Sequence, residues 1–233
     1  MKTLALYAPW WYTVPKGGAA VNRKPLPAAV TAVFLALEGL LYAAFLTLDL
    51  TGRGSQTILL KYAGILLCLI HALLLTLRGG DRLVLFALLF TAGADFFLLR
   101  NVRLILGLCL FLVVQTLYLL RLHRDGVSGG YWLRVALALI MGVAVTALGM
   151  LSLLNLLVAL YFSQLLSNTI LAWCARKWVF AVGLSLFVCC DICVGLYNLG
   201  LLHSFAAVGM WLFYLPSQVL IVLSAKEVSH EAK

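Results

Sequence analysis

The sequence predicts an all-α fold, a polytopic transmembrane helix bundle of about eight helices with both termini cytoplasmic. Three observations predict it. Of 233 residues, 64% are apolar and only 11% are charged, and the mean hydropathy is +1.08; soluble domains run at about 45–50% apolar and about 25% charged. Apolar runs of roughly 20 residues, the length that spans a bilayer core, follow one another along nearly the whole chain. The basic residues fall almost entirely in alternate breaks between those runs. Eight such spans use roughly 160 residues, which leaves no room for a soluble domain. The same composition excludes a disordered chain, a disulfide scaffold and a nucleic-acid module.

The elements follow in order. Residues 1–25 read as an interfacial arm. Pro9, Trp10, Trp11, Tyr12 and Pro15 interrupt the short apolar run after Lys2, no A-x-A-like cleavage site follows, and Trp and Tyr favour the headgroup level. The first helix is read over 26–50 and stops at Thr51-Gly52-Arg53-Gly54. The second, 57–77, ends at Arg78-Gly79-Gly80-Asp81-Arg82, and the third, 83–100, ends at Asn101-Val102-Arg103. The fourth, 104–122, runs into the Gly- and charge-rich loop from His123 to Gly130. Between the fifth (132–150) and the sixth (152–174) the break near Ser152 is weak. From Val135 to Ala175, however, about 40 residues make about 60 Å of helix, twice the hydrocarbon thickness, so two spans are required. Helices over 178–199 and 203–224 complete a single transmembrane domain, 26–224, and 225–233 is a polar tail.

Charge gives the orientation. With the N-terminus inside, thirteen of the 17 Lys and Arg fall in inner segments. Only Arg53, Arg100 and Arg103 fall outside, and Lys61 lies within a helix. This bias places both termini in the cytoplasm, as for a multi-pass protein of the cell membrane. The net charge of +9 is therefore a topology signal and implies no nucleic-acid partner. All six cysteines lie in apolar stretches and behave as small hydrophobes. One internal echo is present: Asp95 precedes Tyr118 by 23 residues and Asp191 precedes Tyr214 by 23. A parallel four-plus-four duplication would produce it.

An ionisable group inside a membrane helix costs several kcal/mol unless paired or hydrated, so it points to function by default. Four helices carry one near the middle: Glu38, Lys61, Asp95 and Asp191. Asp49 is close enough to a helix end to reach the interface and is set aside. Asp95 lies 13 residues beyond Arg82, and Asp191 lies 14 beyond Lys177, or about 20 Å of helix in each case. The two carboxyl groups thus share a depth, with Lys61 and Glu38 within a turn or two of it. Two acids and a lysine at one level predict a shared polar pocket between the second, third and seventh helices. The bland alternative is an Asp–Lys pair that locks helices together. Gln115, Asn155, Gln164, Asn168, Asn198 and Gln218 supply further polar groups, each of which also reads as an interhelical hydrogen bond worth about 1 kcal/mol or less. Cys190-Asp191-Ile192-Cys193 has C-x-x-C spacing but no partner pair, and His71 and His203 have no second histidine at ligand spacing. No metal or other cofactor is implied.

Phe90-Thr-Ala-Gly-Ala-Asp95-Phe-Phe-Leu-Leu99, then Leu106-Gly-Leu-Cys-Leu-Phe111 and Gln115-Thr-Leu-Tyr118, resembles the core of the YhhN, or lysoplasmalogenase, family. So do Tyr161 through Asn168, Gly183-Leu-Ser-Leu-Phe187 leading to Asp191, and Tyr214 with Gln218. The resemblance covers about residues 57–224. The sequence departs from the family pattern where Ala94 precedes Asp95, where Tyr62 follows Lys61, and at Gln115, where the family has His. The resemblance implies an eight-helix membrane hydrolase that cleaves the vinyl ether bond of a lysoplasmalogen-type lysophospholipid, releasing a fatty aldehyde and a glycerophospho-head group. Its catalytic residues would be Asp95 and Asp191, one acting as acid and one as base, as paired carboxyl groups do in glycosidases. Lys61, Gln115, Tyr118, Tyr161, Asn168, Tyr214, Gln218 and Glu38 would line the pocket, and the partners would be the lysophospholipid and membrane lipids. A proton-coupled small-molecule transporter would use the same buried carboxyl groups and is the competing reading.

Overall fold

A computed structural model describes residues 25–51, 57–100, 102–127 and 130–229; the arm read over the N-terminal residues falls outside them, apart from Pro25. Among the described residues eight α-helices follow in order: α1 (Ala28–Leu50), α2 (Ile58–Leu77), α3 (Arg82–Leu99), α4 (Leu104–Arg124), α5 (Tyr131–Ala147), α6 (Leu153–Cys174), α7 (Trp178–Asn198) and α8 (His203–Leu223). Seven of them are long and apolar enough to cross a membrane, and α5 is an apolar helix of 17 residues, about 26 Å long. The chain is a polytopic helical membrane protein. Large apolar side chains such as Leu40, Leu59 and Ile140 stand exposed on the outside of the bundle, where lipid rather than water is the solvent. Helices end and restart on either side of each predicted break, and a 3-10 helix, Ser224–Ser229, follows α8.

Local chemistry explains the turn between α2 and α3. Gly79 adopts φ +98, a conformation that costs a glycine little, and Gly80 N–H closes on the Leu75 carbonyl. Asp81 then caps α3 by accepting from Leu83 N–H at 3.0 Å, while its own N–H donates to the Ala225 carbonyl. The tail is thereby tied to the bundle. Pro216 inside α8 offers no N–H to the Leu212 carbonyl one turn back. The Tyr42 hydroxyl of α1 donates to that carbonyl instead, at 3.2 Å, and α8 continues.

Packing sets the architecture. α2, α3, α4, α6, α7 and α8 form a ring in which each helix packs on the next and α8 returns onto α2. α1 lies against α2 and α8, and α5 lies against α6. Advancing three places round the ring carries α2, α3 and α4 onto α6, α7 and α8. That two-fold relation is the one a parallel four-plus-four duplication would produce. Both α4 and α8 start after a non-glycine residue in the left-handed region, Arg103 at φ 52 and Leu202 at φ 48, so the two halves turn the same corner alike. α7 and α8 approach closely at Gly183, where an added Cβ would stand 3.0 Å from Ile221 Cγ1 and 3.2 Å from Ile221 N. Small residues permit such contact between membrane helices.

Candidate active site

Asp95 on α3 and Asp191 on α7 each receive one tyrosine. Tyr214 of α8 donates its hydroxyl to Asp95 Oδ2 at 2.6 Å, and Tyr161 of α6 donates to Asp191 Oδ2 at 2.7 Å. Asp95 is 5% exposed and both tyrosines are buried, while Asp191 is half-buried. The two carboxyl groups lie within electrostatic range of each other. An aromatic row joins the pairs: Tyr161 packs on Phe111 (5.7 Å between ring centroids), Phe111 on Phe187 (5.7 Å) and Phe187 on Tyr214 (5.5 Å). Four ring helices, α3, α6, α7 and α8, thus present two hydrogen-bonded acids, with α4 supplying an apolar wall. The tyrosine partners do not obey the internal repeat, since Tyr118 sits at the repeat spacing but Tyr161 holds Asp191.

Lys61 is elsewhere, and this corrects the sequence reading. Its ammonium pairs with Asp49, the acid that the sequence reading sets aside, at 2.7 Å to Oδ2 and 3.1 Å to Oδ1. Thr57 also donates to Asp49, at 2.9 Å, and Lys61 Nζ stands 4.8 Å from the Trp211 ring centroid and 5.8 Å from that of Phe45. Trp211 in turn packs on Tyr214, so rings separate Lys61 from Asp95. Lys61 therefore does not join the two aspartates in the polar pocket expected between the second, third and seventh helices. A signal was present in the sequence: Asp49 and Lys61 flank one break, each within a turn of it, on helices that must run antiparallel.

The remaining candidates form separate groups. Glu38 is buried on α1, accepts from the Cys68 thiol at 3.3 Å, and lies beside Gly64 and Leu215 rather than at the aspartates. Asn168 donates to Gln115 Oε1 and to the Gln115 carbonyl, both at 2.9 Å. Its own oxygen accepts from Arg134 at 2.7 Å, and Gln164 accepts from Arg134 at 2.6 Å. Arg134, which the sequence reading used only for topology, therefore knits α4, α5 and α6 together. Tyr118 is fully buried, edge-on to Phe180. Gln218 is fully buried too, and among the described residues neither end of its amide meets a protein partner. Asn155 and Asn198 serve nearby backbone carbonyls. Among the described residues no three His, Cys, Asp or Glu converge as metal ligands.

The end of the bundle where α1 begins and α8 ends holds a charged cluster that the sequence reading did not connect. Asp81 binds Arg121 Nε at 2.8 Å and both Arg124 Nη atoms at 2.7 Å. Arg121 also donates to Ser224 Oγ and to its carbonyl, at 2.7 Å each. Burial on its own would raise the Asp81 carboxyl. The hydrogen bonds from Arg124 and the charges of Arg121 and Arg124 outweigh it and hold the group below its ordinary value of 3.8.

A ring of apolar helices enclosing two tyrosine-bound carboxyl groups defines a class: intramembrane proteins with a polar site built in the bundle core. Within it, this chain belongs to the YhhN family, whose model matches residues 56–225, from the start of α2 to the first turn after α8. No curated protein and no solved structure matches it.

Proposed function

We propose that the protein is an intramembrane ether hydrolase that cleaves the vinyl ether bond of lysoplasmalogen-type lysophospholipids. The observation that carries this reading is the pair of acids, Asp95 and Asp191, each oriented by a tyrosine hydroxyl and set in an aromatic wall within reach of each other's field. Vinyl ether hydrolysis needs an acid and a base and no redox step. One carboxyl group delivers its proton to the alkene carbon remote from oxygen, which leaves an oxocarbenium ion. The other, ionised, stabilises that cation and takes a proton from the water that attacks it. The hemiacetal then breaks its C–O bond to the glycerol, yielding the aldehyde and a free glycerol hydroxyl. The sum is one vinyl ether and one water to one aldehyde and one alcohol. Phe111 and Phe187 offer the apolar face an alkyl chain needs, and Tyr161 and Tyr214 fix which carboxyl oxygen is free to transfer the proton.

The test is aldehyde release from a purified lysoplasmalogen by the protein in nanodiscs. Asp95→Asn and Asp191→Asn each lower single-turnover release by at least about 10²-fold, the low end for general acid–base catalysis. Near-normal release from both folded variants refutes the assignment.

A further inference from the structure

Among the described residues, five buried side chains on α3, α4 and α8 carry polar atoms whose hydrogen bonding protein does not complete: Thr91 Oγ1, Gln115 Nε2, Tyr118 OH, Ser217 Oγ and both ends of the Gln218 amide. Gln115 is 1% exposed and the other four are fully buried. Their positions are not scattered. Thr91 lies one turn below Asp95 on α3, and Ser217 and Gln218 lie one turn below Tyr214 on α8. Tyr118 reaches toward the Thr91 hydroxyl and sits in the field of both Asp95 and Arg121, and among the described residues neither hydroxyl has a further protein partner. The helices that carry these groups are neighbours: α3 packs on α4 and touches α8.

Depth orders them. Six residues separate Gln218 from Ser224, about 9 Å of helix, and ten separate Thr91 from Asp81, about 15 Å. Asp95 stands about 21 Å from Asp81 by the same rise. The five side chains therefore fill the interval between the Asp81–Arg121–Ser224 cluster and the Asp95–Tyr214 hydrogen bond. A buried amide or hydroxyl with no partner costs about 1–3 kcal/mol, and natural interiors meet that need with water where the walls are polar. Five such groups at depths between one acid and a charged bundle end are too many to be separate packing faults.

We propose that this interval is a water-binding shaft, lined by Thr91, Gln115, Tyr118, Ser217 and Gln218, that leads to Asp95. The assignment of that water as the second reactant of vinyl ether hydrolysis rests on the function proposed above; the shaft itself does not. Water consumed in the middle of a bilayer must reach the oxocarbenium carbon past an apolar chain, and a file of amide and hydroxyl groups gives it hydrogen bonds throughout.

The test is radiolytic hydroxyl footprinting of the wild-type protein in nanodiscs, read by mass spectrometry, because radicals form from water bound beside the labelled ring. Tyr118 should label at a rate approaching that of exposed Tyr131, while Phe45, fully buried among apolar groups, stays unlabelled. A Tyr118 as silent as Phe45 overturns the shaft, whatever the enzyme activity. In the aldehyde assay, Ser217→Ala combined with Gln218→Leu should lower kcat and leave the KM for lysolipid unchanged. A raised KM with unchanged kcat would mean that these groups hold the substrate's polar head, and would overturn the assignment to water. An absence of aldehyde from the wild type would refute the proposed function while leaving the footprinting result to stand on its own.

Discussion

Replacing Asp81 by Asn tests how the bundle is held at the end where it begins and closes. Asn keeps the side-chain oxygen that accepts from Leu83 N–H, so the α3 cap survives, and what is lost is the charge facing two guanidinium groups. The Asp81 side chain is fully shielded and that of Arg121 is 3% exposed, while Arg124 is 39% exposed. The Arg121 contact is thus the one that counts; an exposed partner is screened and worth about 0–1 kcal/mol. Removing one member of a buried pair costs about 3–5 kcal/mol, because the other charge stays buried. At about 2–4 °C per kcal/mol for a chain of this size, the midpoint should fall by about 6–20 °C. Arg124→Met should cost far less. The pH dependence has a definite sign. Asp81 is held below its ordinary value, so its stabilisation is complete above about pH 4 and drains away as pH falls through the folded-state value. Thermal unfolding of detergent-solubilised wild type and variant should give a constant gap from pH 7 to pH 5 that narrows below pH 4. A gap that is small at pH 7, or that widens on acidification, refutes the reasoning.

Other outcomes follow from single contacts. Tyr214→Phe removes a 2.6 Å hydrogen bond to Asp95; such a bond is worth about 0.5–1.5 kcal/mol to a neutral carboxyl and about 1.5–3 kcal/mol to an ionised one, so aldehyde release should fall between about twofold and about a hundredfold in a variant that still folds. Lys61→Met should lower the thermal midpoint by stranding Asp49, and adding Asp49→Leu should recover most of the loss, since an apolar pair commonly matches a buried ion pair. Neither change should move the pH profile of aldehyde release, because Lys61 belongs to Asp49. In a background with Cys109 and Cys174 replaced by Ala, Leu151→Cys should label from outside intact cells and Tyr131→Cys only after permeabilisation; the reverse pattern inverts the topology.

The sequence disclosed depth better than direction. A fixed rise of 1.5 Å per residue places Asp95 and Asp191 at one level from nothing but the distance to Arg82 and Lys177. The same arithmetic brings Lys61 to a nearby level. It says nothing about which side of α2 the lysine occupies, and the structure turns it toward α1. Periodicity did not help, because α3 and α7 are apolar on every side, as helices between lipid and protein tend to be, and such a helix gives no buried face to read. Breaks were legible because Gly79-Gly80-Asp81 and Gly126 carry their own turn chemistry. The tyrosines that grip the aspartates were readable as candidates, but not as partners: Tyr161 comes from a helix 30 residues before Asp191 in the chain, and nothing local marks the pairing.

The choice between a hydrolase and a proton-coupled transporter turns on what is free to move. Alternating access needs helices broken near the site, with unwound segments that rock against a fixed partner. The single proline within a helix here, Pro216 among the described residues, leaves a free carbonyl that Tyr42 takes up, so the break is pinned to α1. At one end of the bundle Asp49 and Lys61 tie α1 to α2. At the other, Asp81, Arg121 and Ser224 tie α3 and α4 to the turn after α8. Between the two ties each aspartate is held by a tyrosine from a different helix, which fixes its orientation before any substrate arrives. A site clamped at both ends and oriented in the middle is poorly suited to exchanging its opening from one face to the other. It is well suited to stabilising charge that develops in one place, which is what preorganised acid–base catalysis requires.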